Sequence, residues 1–201
     1  ALTVKIDNRV GTATAVVLKT TAIETVTLDV LDLDTSSNAA VDMTAVKAST
    51  VNVTGGFAGA LITMTTLAAE TTTVNLADYK GDVSFTAGAT ATGMTVTASA
   101  SAAADNFTLS AKNDTITIAE TAGVDVDVDG GAGTDTLNLS VMTGFKDTGE
   151  IDAIENINLA IRSGDDITIG AGANEVNGID EATKLVVTGG NSLSTLTIGG
   201  A

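Results

Sequence analysis

The feature that most constrains this chain is a short strand pattern that recurs about every ten residues. Segments such as Thr50–Val53 and Thr73–Leu76 alternate polar and apolar residues, and this period of two is typical of β-strands. One apolar residue from each of nine such segments marks the spacing, and most of the steps between them are nearly equal. These positions are Val51, Met64, Val74, Phe85, Val96, Phe107, Ile116, Val126 and Leu137.

A spacing this constant predicts a parallel β-solenoid with two faces. Two strands and two turns would make one coil of about twenty residues. The alternative is an antiparallel β-sandwich, which also places strands about every 8–12 residues. Such a sandwich needs hairpin turns, and Asn177-Gly178 is the only clear hairpin dipeptide in the chain. We therefore predict an all-β fold in which residues 1–201 form one continuous β-solenoid.

A longer internal repeat overlies the short one. Residues 22–56 resemble residues 153–190 in two blocks that keep their order along the chain. In the first block, Ala22–Val30 resembles Ala153–Ile161, and the second block follows at nearly the same offset. No linker rich in Ser, Gly or Pro separates the two copies. The repeat predicts a segment of an array within a single domain, with a centre of different character at about 111–140.

Composition excludes several classes of function. Nine basic residues against 25 acidic ones give a formal net charge of −16, which argues against binding to nucleic acid or to anionic lipid. The chain has no Cys and no His, so it has no disulfide, thiolate site or histidine metal ligand. No apolar run approaches the length of a membrane span, so we expect no membrane insertion. The acidic balance favours a protein that meets divalent cations.

Catalysis finds little support in the residues present. Without His, neither a Ser–His nor a Cys–His pair can form. A glycosidase with paired carboxylates is chemically allowed, but one Tyr and four Phe offer few platforms for a sugar. Arg162, beside Asp165 and Asp166, is the one basic candidate for a solenoid lyase, and a surface ion pair explains it equally simply. We predict that the chain is not an enzyme.

The segment Gly130–Asn138, with the sequence GGAGTDTLN, fits the nonapeptide G-G-x-G-x-D-x-U-x at every fixed position. Its glycines allow left-handed backbone angles, so the chain can turn sharply and expose its carbonyl oxygens. Asp135 adds a carboxylate to this turn, and Leu137 should point inward from the following strand. A set of oxygen ligands in a tight turn suits a hard cation, and calcium is the expected ion.

Other acidic residues recur near turns of the same kind. Asn113-Asp114 lies about two strand units before Asp135, and Asp165-Asp166 lies in a second near-match to the motif. Asp127 and Asp129 alternate with valines, so these carboxylates should share the outer face of one strand. Asp125 is farther from the glycines and is interpreted as solvated. The predicted metal ligands are Gly130, Gly131, Gly133, Asp135, Asp129, Asp127, Asn113, Asp114, Asp165 and Asp166.

Threonine is frequent and often occurs as Thr-x-Thr, as in Thr95–Thr97 and Thr115–Thr117. A ladder of such pairs in register on a solenoid would suit the binding of ice. The spacing of the pairs along this chain is irregular, and Asn and Asp intervene. We therefore expect ordinary β-propensity with hydroxyls facing solvent.

The glycine turn, the strand blocks Ile23–Leu28 and Ile154–Leu159, and the Thr/Ala/Val/Gly composition without Cys occur together. As a set they resemble bacterial surface-layer proteins with RTX-type calcium-binding β-solenoid repeats. The resemblance implies a secreted structural protein at the cell surface, where it would assemble with itself into a sheet or filament with calcium bound at RTX-like turns. It also implies contact with a cell-surface polysaccharide. The main alternative is a calcium-stiffened stalk of an adhesin, and an ice-binding or carbohydrate-active solenoid is less favoured.

Overall fold

A computed structural model describes residues 1–8, 16–33, 38–58, 60–90, 92–98, 104–119, 125–141, 151–161, 167–169, 184–189 and 196–198. Within these ranges the chain forms β-strands and no helix, which confirms the all-β prediction. The strands are β1 (Leu2–Asn8), β2 (Val16–Thr20), β3 (Thr25–Leu33), β4 (Ala39–Val46), β5 (Thr50–Gly55), β6 (Leu61–Met64), β7 (Thr73–Asn75), β8 (Asp82–Thr86), β9 (Thr95–Thr97), β10 (Ala104–Thr108), β11 (Thr115–Ala119), β12 (Asp125–Asp129), β13 (Thr136–Val141), β14 (Ile151–Asp152), β15 (Asn156–Ile161), β16 (Ile167–Ile169), β17 (Lys184–Gly189) and β18 (Leu196–Ile198).

Successive strands alternate between two parallel sheets. The odd sheet contains the nine odd-numbered strands from β1 to β17 in chain order, and the even sheet contains the seven even-numbered strands from β2 to β14. Strands β16 and β18 pair with each other in a third, two-stranded sheet. Because each strand hydrogen-bonds to the strand two places later in the chain, the backbone coils as a parallel β-solenoid with two faces, as predicted.

The register of the odd sheet stacks one apolar residue per coil in a single column, in which Val74 pairs with Val96 and Val96 with Ile116. The coil length varies along the chain. Asn52 bonds to Thr27, 25 residues earlier, and Asn158 bonds to Asn138, only 20 residues earlier, whereas Asn158 pairs with Val186, 28 residues later. The predicted coil of about twenty residues therefore fits the middle coils and is exceeded by the first and the last ones. The strands stay paired in one sheet while the coil length changes, so the segments between them account for the difference.

The core lies between the odd and even sheets and is lined by alternate residues of each strand. The odd sheet contributes mainly Val, Ile and Leu, whereas the even sheet adds longer side chains such as Met64 and Phe85. The rings of Phe85 and Phe107 pack with centroids 5.0 Å apart at an angle of 37°. The apolar residues that defined the strand spacing are buried, apart from Val126, whose side chain lies outside those described.

The two blocks of the longer repeat fall on equivalent parts of the solenoid. Ala22–Val30 leads into and contains most of β3, and its counterpart Ala153–Ile161 contains β15. β3 pairs with β5, and β15 pairs with β17, in the same odd sheet. Residues 170–183 of the second copy lie outside the described residues. The repeat itself stays a prediction.

Candidate calcium turn and carboxylate ladder

The glycine-rich turn, residues 130–135, joins β12 of the even sheet to β13 of the odd sheet. Gly131 and Gly133 have φ angles of 84° and 141°, in the left-handed region that glycine tolerates. A Cβ atom on Gly131 would lie 2.5 Å from the Ser110 carbonyl oxygen, and one on Gly133 would lie 2.6 Å from the Lys112 carbonyl oxygen. The glycines therefore serve both the sharp turn and the close approach of two coils.

Three acidic residues occupy the same position in successive coils, directly before strands β11, β13 and β15. They are Asp114, Asp135 and Glu155, and we call them the carboxylate ladder. The carboxylate of Asp135 accepts the backbone N–H of Asp114 at 2.6 Å, and that of Glu155 accepts the N–H of Asp135 at 2.6 Å. Hydrogen bonds from N–H groups to a carboxylate are stronger than those between neutral groups. The ladder therefore ties each coil to the one before it.

Asp114 is the most fully bonded member of the carboxylate ladder. Its side chain is 1 % exposed, and Oδ1 accepts the Met94 N–H at 2.5 Å. Oδ2 accepts the Ser110 N–H at 2.7 Å, and the Ser110 hydroxyl donates to the same carboxylate. These bonds give Asp114 a structural role that requires no metal.

Asp135 is different because half of its carboxylate has no partner. The residue is fully buried, and Oδ2 accepts no hydrogen bond from any described residue. The pKa of Asp135 is raised to about 6. Burial is the main cause, the hydrogen bond from the Asp114 N–H acts in the opposite direction, and the nearby carboxylates of Asp114, Glu155 and Asp129 add to the increase. Ionising Asp135 is therefore less favourable in this fold than ionising an exposed carboxylate, and a cation beside it would offset that cost.

The other predicted ligands lie around this turn or beyond the described residues. Asp127 and Asp129 are exposed on the outer face of β12, and Val128 between them is buried, as the alternation predicted. Asp129 Oδ1 accepts the Gly131 N–H at 2.9 Å, and Asn113 Oδ1 accepts the Thr134 N–H at 3.0 Å. Of the remaining predicted ligands, Gly130 is buried, and Asp165 and Asp166 lie outside the described residues. Arg162, the basic candidate for a lyase, also lies outside them.

Sequence reasoning missed Glu155 as a member of the site. Its signal was present, because Glu155 follows Asp135 by 20 positions and Asp135 follows Asp114 by 21, about one coil each time. The nonapeptide places glycines next to its acidic residue, and Ile154-Glu155 has no neighbouring glycine. Coil spacing measured from Asp135 would have found it.

The residues of this turn fit a calcium ion in part. Asp135 supplies a buried, unpartnered carboxylate oxygen, and carbonyl groups of Ser110 and Lys112 lie against the glycines. In the part of the chain that the structure describes, however, no three acidic side chains converge as a metal-binding group. An ion at this turn would therefore take most of its ligands from backbone carbonyls and water, and Asp135 would be its main charged ligand.

Replacing Asp135 by asparagine is expected to remove a pH dependence of stability when calcium is chelated. The pKa of Asp135 is about 6 in the folded chain and 3.8 as its ordinary value. The folded state therefore binds this proton more tightly, and its stabilisation is full below about pH 4 and is lost as the pH rises through about 6. Wild-type melting temperature should fall between pH 4.5 and 7.5 more steeply than that of Asp135→Asn, measured by circular dichroism.

Asp78→Asn is the matched control for this experiment, because Asp78 is exposed and the substitution changes the net charge equally. The control should keep the wild-type slope. Equal slopes for Asp135→Asn and the wild type would contradict the assignment of a buried, partly unpartnered carboxylate with a raised pKa.

Comparison with known proteins gives no match to a protein-family model, a curated protein or a solved structure. In the described residues no helix is long and apolar enough to cross a membrane.

Proposed function

We propose that this chain is a structural, non-enzymatic part of a secreted protein that assembles with itself into a surface layer or filament outside the cell. Calcium at the glycine turn stabilises the fold and the contacts between copies. The observation that carries the proposal is the buried, unpartnered Oδ2 of Asp135 in a glycine turn that matches a calcium-binding nonapeptide.

The electrostatics of the ladder support a cation at this place. Asp114, Asp135 and Glu155 stack three carboxylates in neighbouring coils of a chain whose net charge is −16. Backbone N–H groups offset part of this charge, but Asp135 Oδ2 receives none of them. Bound calcium supplies positive charge in a low-dielectric setting and so favours the ionised form of Asp135. Asp135 would hold the ion together with carbonyl groups of the turn.

The architecture of a parallel solenoid supports assembly by addition of strands. Successive strands of this chain from β1 to β15 join the odd sheet and the even sheet in turn. A strand at the end of such a sheet has unpaired backbone N–H and C=O groups, which favour pairing with another chain. A second copy that continues the coil would therefore extend both sheets.

Calcium is expected to raise the melting temperature of the wild-type chain. At a hundredfold excess over Kd, binding to the folded state alone contributes about 2.7 kcal/mol, or about 5–11 °C for a domain of this size. The measurement is a circular dichroism melt in calcium and in chelator, with magnesium as the ion control. Asp135→Ala should lose most of the calcium response, whereas Asp78→Ala should keep it.

Electron microscopy of the same samples tests assembly. We expect sheets or filaments of the wild type in calcium and dispersed particles in chelator. A wild-type melt that is identical in calcium and chelator would remove calcium from the proposal. A calcium-dependent melt with only single particles in every condition would keep the calcium turn and overturn self-assembly.

A further inference from the structure

The outer surface of the odd sheet carries two columns of hydroxyl and amide side chains in register across six neighbouring strands, the odd-numbered strands from β5 to β15. We call this surface the threonine–asparagine face. The apolar residues between the columns, such as Val74 and Val96, are buried, so the columns point outward. The first column is Thr50, Thr73, Thr95, Thr115, Thr136 and Asn156, and the second is Asn52, Asn75, Thr97, Thr117, Asn138 and Asn158.

This alignment differs from the sequence expectation. The irregular spacing of the Thr-x-Thr pairs, with Asn and Asp between them, predicted ordinary β-propensity with hydroxyls facing solvent. In the structure Thr73 pairs with Thr95, Thr95 with Thr115, and Thr115 with Thr136, although the steps along the chain are unequal. The turns take up the differences in length, and the asparagines occupy places in the columns instead of interrupting them.

The columns form a two-dimensional array with nearly constant repeats. Neighbouring strands lie about 4.8 Å apart, and alternate residues along one strand lie about 6.6 Å apart. The first distance is close to one repeat of oxygen atoms on the prism face of hexagonal ice, and the second is somewhat shorter than the other repeat of that face. Each threonine also presents a methyl group beside its hydroxyl, so the array offers both hydrogen bonding and apolar contact to ordered water.

Contacts within the second column hold parts of this array in place. Asn138 Nδ2 donates to Thr117 Oγ1 at 3.4 Å, and Asn158 Nδ2 donates to Asn138 Oδ1 at 2.8 Å. Asn52 Nδ2 similarly donates to Thr27 Oγ1 at 3.4 Å on the preceding strand. Side chains that are ordered before binding lose less conformational entropy when they meet a rigid surface. The face is therefore preorganised for a regular, rigid partner.

The face is also uncharged, although the chain as a whole carries −16. All twelve side chains of its two columns are Thr or Asn, which fits an electrically neutral surface. Two copies stacked on this face would have to bring the hydroxyls and amides of both faces into hydrogen-bonding register, because burial without partners is costly. A sugar surface would favour aromatic side chains, and the two columns contain none. We propose that the threonine–asparagine face binds ice crystals.

The test measures thermal hysteresis and partition into growing ice with the full 201-residue chain. The wild type should show hysteresis and should be enriched in the ice fraction. The double variant Thr73→Lys/Thr115→Lys should lose most of both signals, because long charged side chains would stand on either side of Thr95 in the array. The single variant Thr95→Val, which keeps the shape of the side chain, should lose less than the double variant.

Thr63→Lys/Asn106→Lys is the matched control, because these two residues flank Ser84 on the outer face of the even sheet in the same way. The control should retain both ice signals, and circular dichroism melts should show that every variant is folded. A folded wild type that is excluded from ice would overturn the proposal, and so would an equal loss in the control. Wild-type binding to microcrystalline cellulose without binding to ice would also overturn it. Both ice assays are run in calcium and in chelator, so their result is separate from that of the calcium experiments.

Discussion

Asp114→Ala is expected to destabilise the chain by about 2–6 kcal/mol, because it leaves two buried backbone donors, Met94 N–H and Ser110 N–H, without acceptors at about 1–3 kcal/mol each. A loss of this size is comparable with the whole stability of many domains, about 5–15 kcal/mol. Urea unfolding followed by circular dichroism measures it. The loss should be present in chelator, because Asp114 acts through hydrogen bonds within the chain.

Two further variants make this result specific. Asp114→Asn keeps one carbonyl oxygen as an acceptor but places an NH₂ group among donors, so its loss should lie between those of the wild type and Asp114→Ala. Asp78→Ala removes the same charge at an exposed site and should stay within about 0.5 kcal/mol of the wild type. If Asp114→Ala were no less stable than Asp78→Ala, the carboxylate ladder would not contribute to stability.

Phe107→Ala is expected to lower the free energy of unfolding by about 3–5 kcal/mol. Phe107 is 1 % exposed and packs on Phe85 with ring centroids 5.0 Å apart, in register with Val128 of the next coil. Backbone hydrogen bonds hold neighbouring strands at a fixed distance. We therefore expect little collapse of the core into the space that the ring leaves. Urea denaturation of the variant measures the change.

Phe107→Leu is the graded comparison, because it retains much of the buried apolar volume and should cost clearly less than alanine. Ser84→Ala tests the outward face of the neighbouring strand β8, where truncation should have little effect. A loss below about 1 kcal/mol for Phe107→Ala would mean that the two sheets can close over the cavity, against the usual range for such substitutions.

The fold was predictable because a solenoid repeats the same unit of strand and turn along the chain. Val74, Phe85 and Ile116 each stand about one strand unit from the next apolar landmark, and each step takes the chain from one sheet to the other. Local alternation gives the inward face, and the constant step gives the number of strands per coil. No long-range information beyond one coil was needed, so composition and period were sufficient.

The site was predictable only where the backbone itself determines it. The left-handed turn at Gly131 and the burial of Leu137 followed from the motif, and the structure confirms both. The inward direction of Asp114 and the participation of Glu155 depend on which residues of adjacent coils face each other. Coil length varies along the chain, so spacing alone does not fix this register. For the same reason, the alignment of threonine and asparagine side chains in the threonine–asparagine face could not be predicted from the spacing of these residues along the chain.

The odd sheet is continuous although the coil length changes, and this has a consequence for how such a chain can acquire new features. Turns of different length are compatible with the same parallel pairing of strands. The coil of 25 residues that ends at Asn52 and the coil of 20 residues that ends at Asn158 illustrate this, because both keep their strands in the odd sheet. Lengthening a flexible loop costs only about 0.6 kcal/mol per doubling. The solenoid is therefore a scaffold on whose turns foreign peptides can be displayed at regular intervals, with each insertion independent of the others.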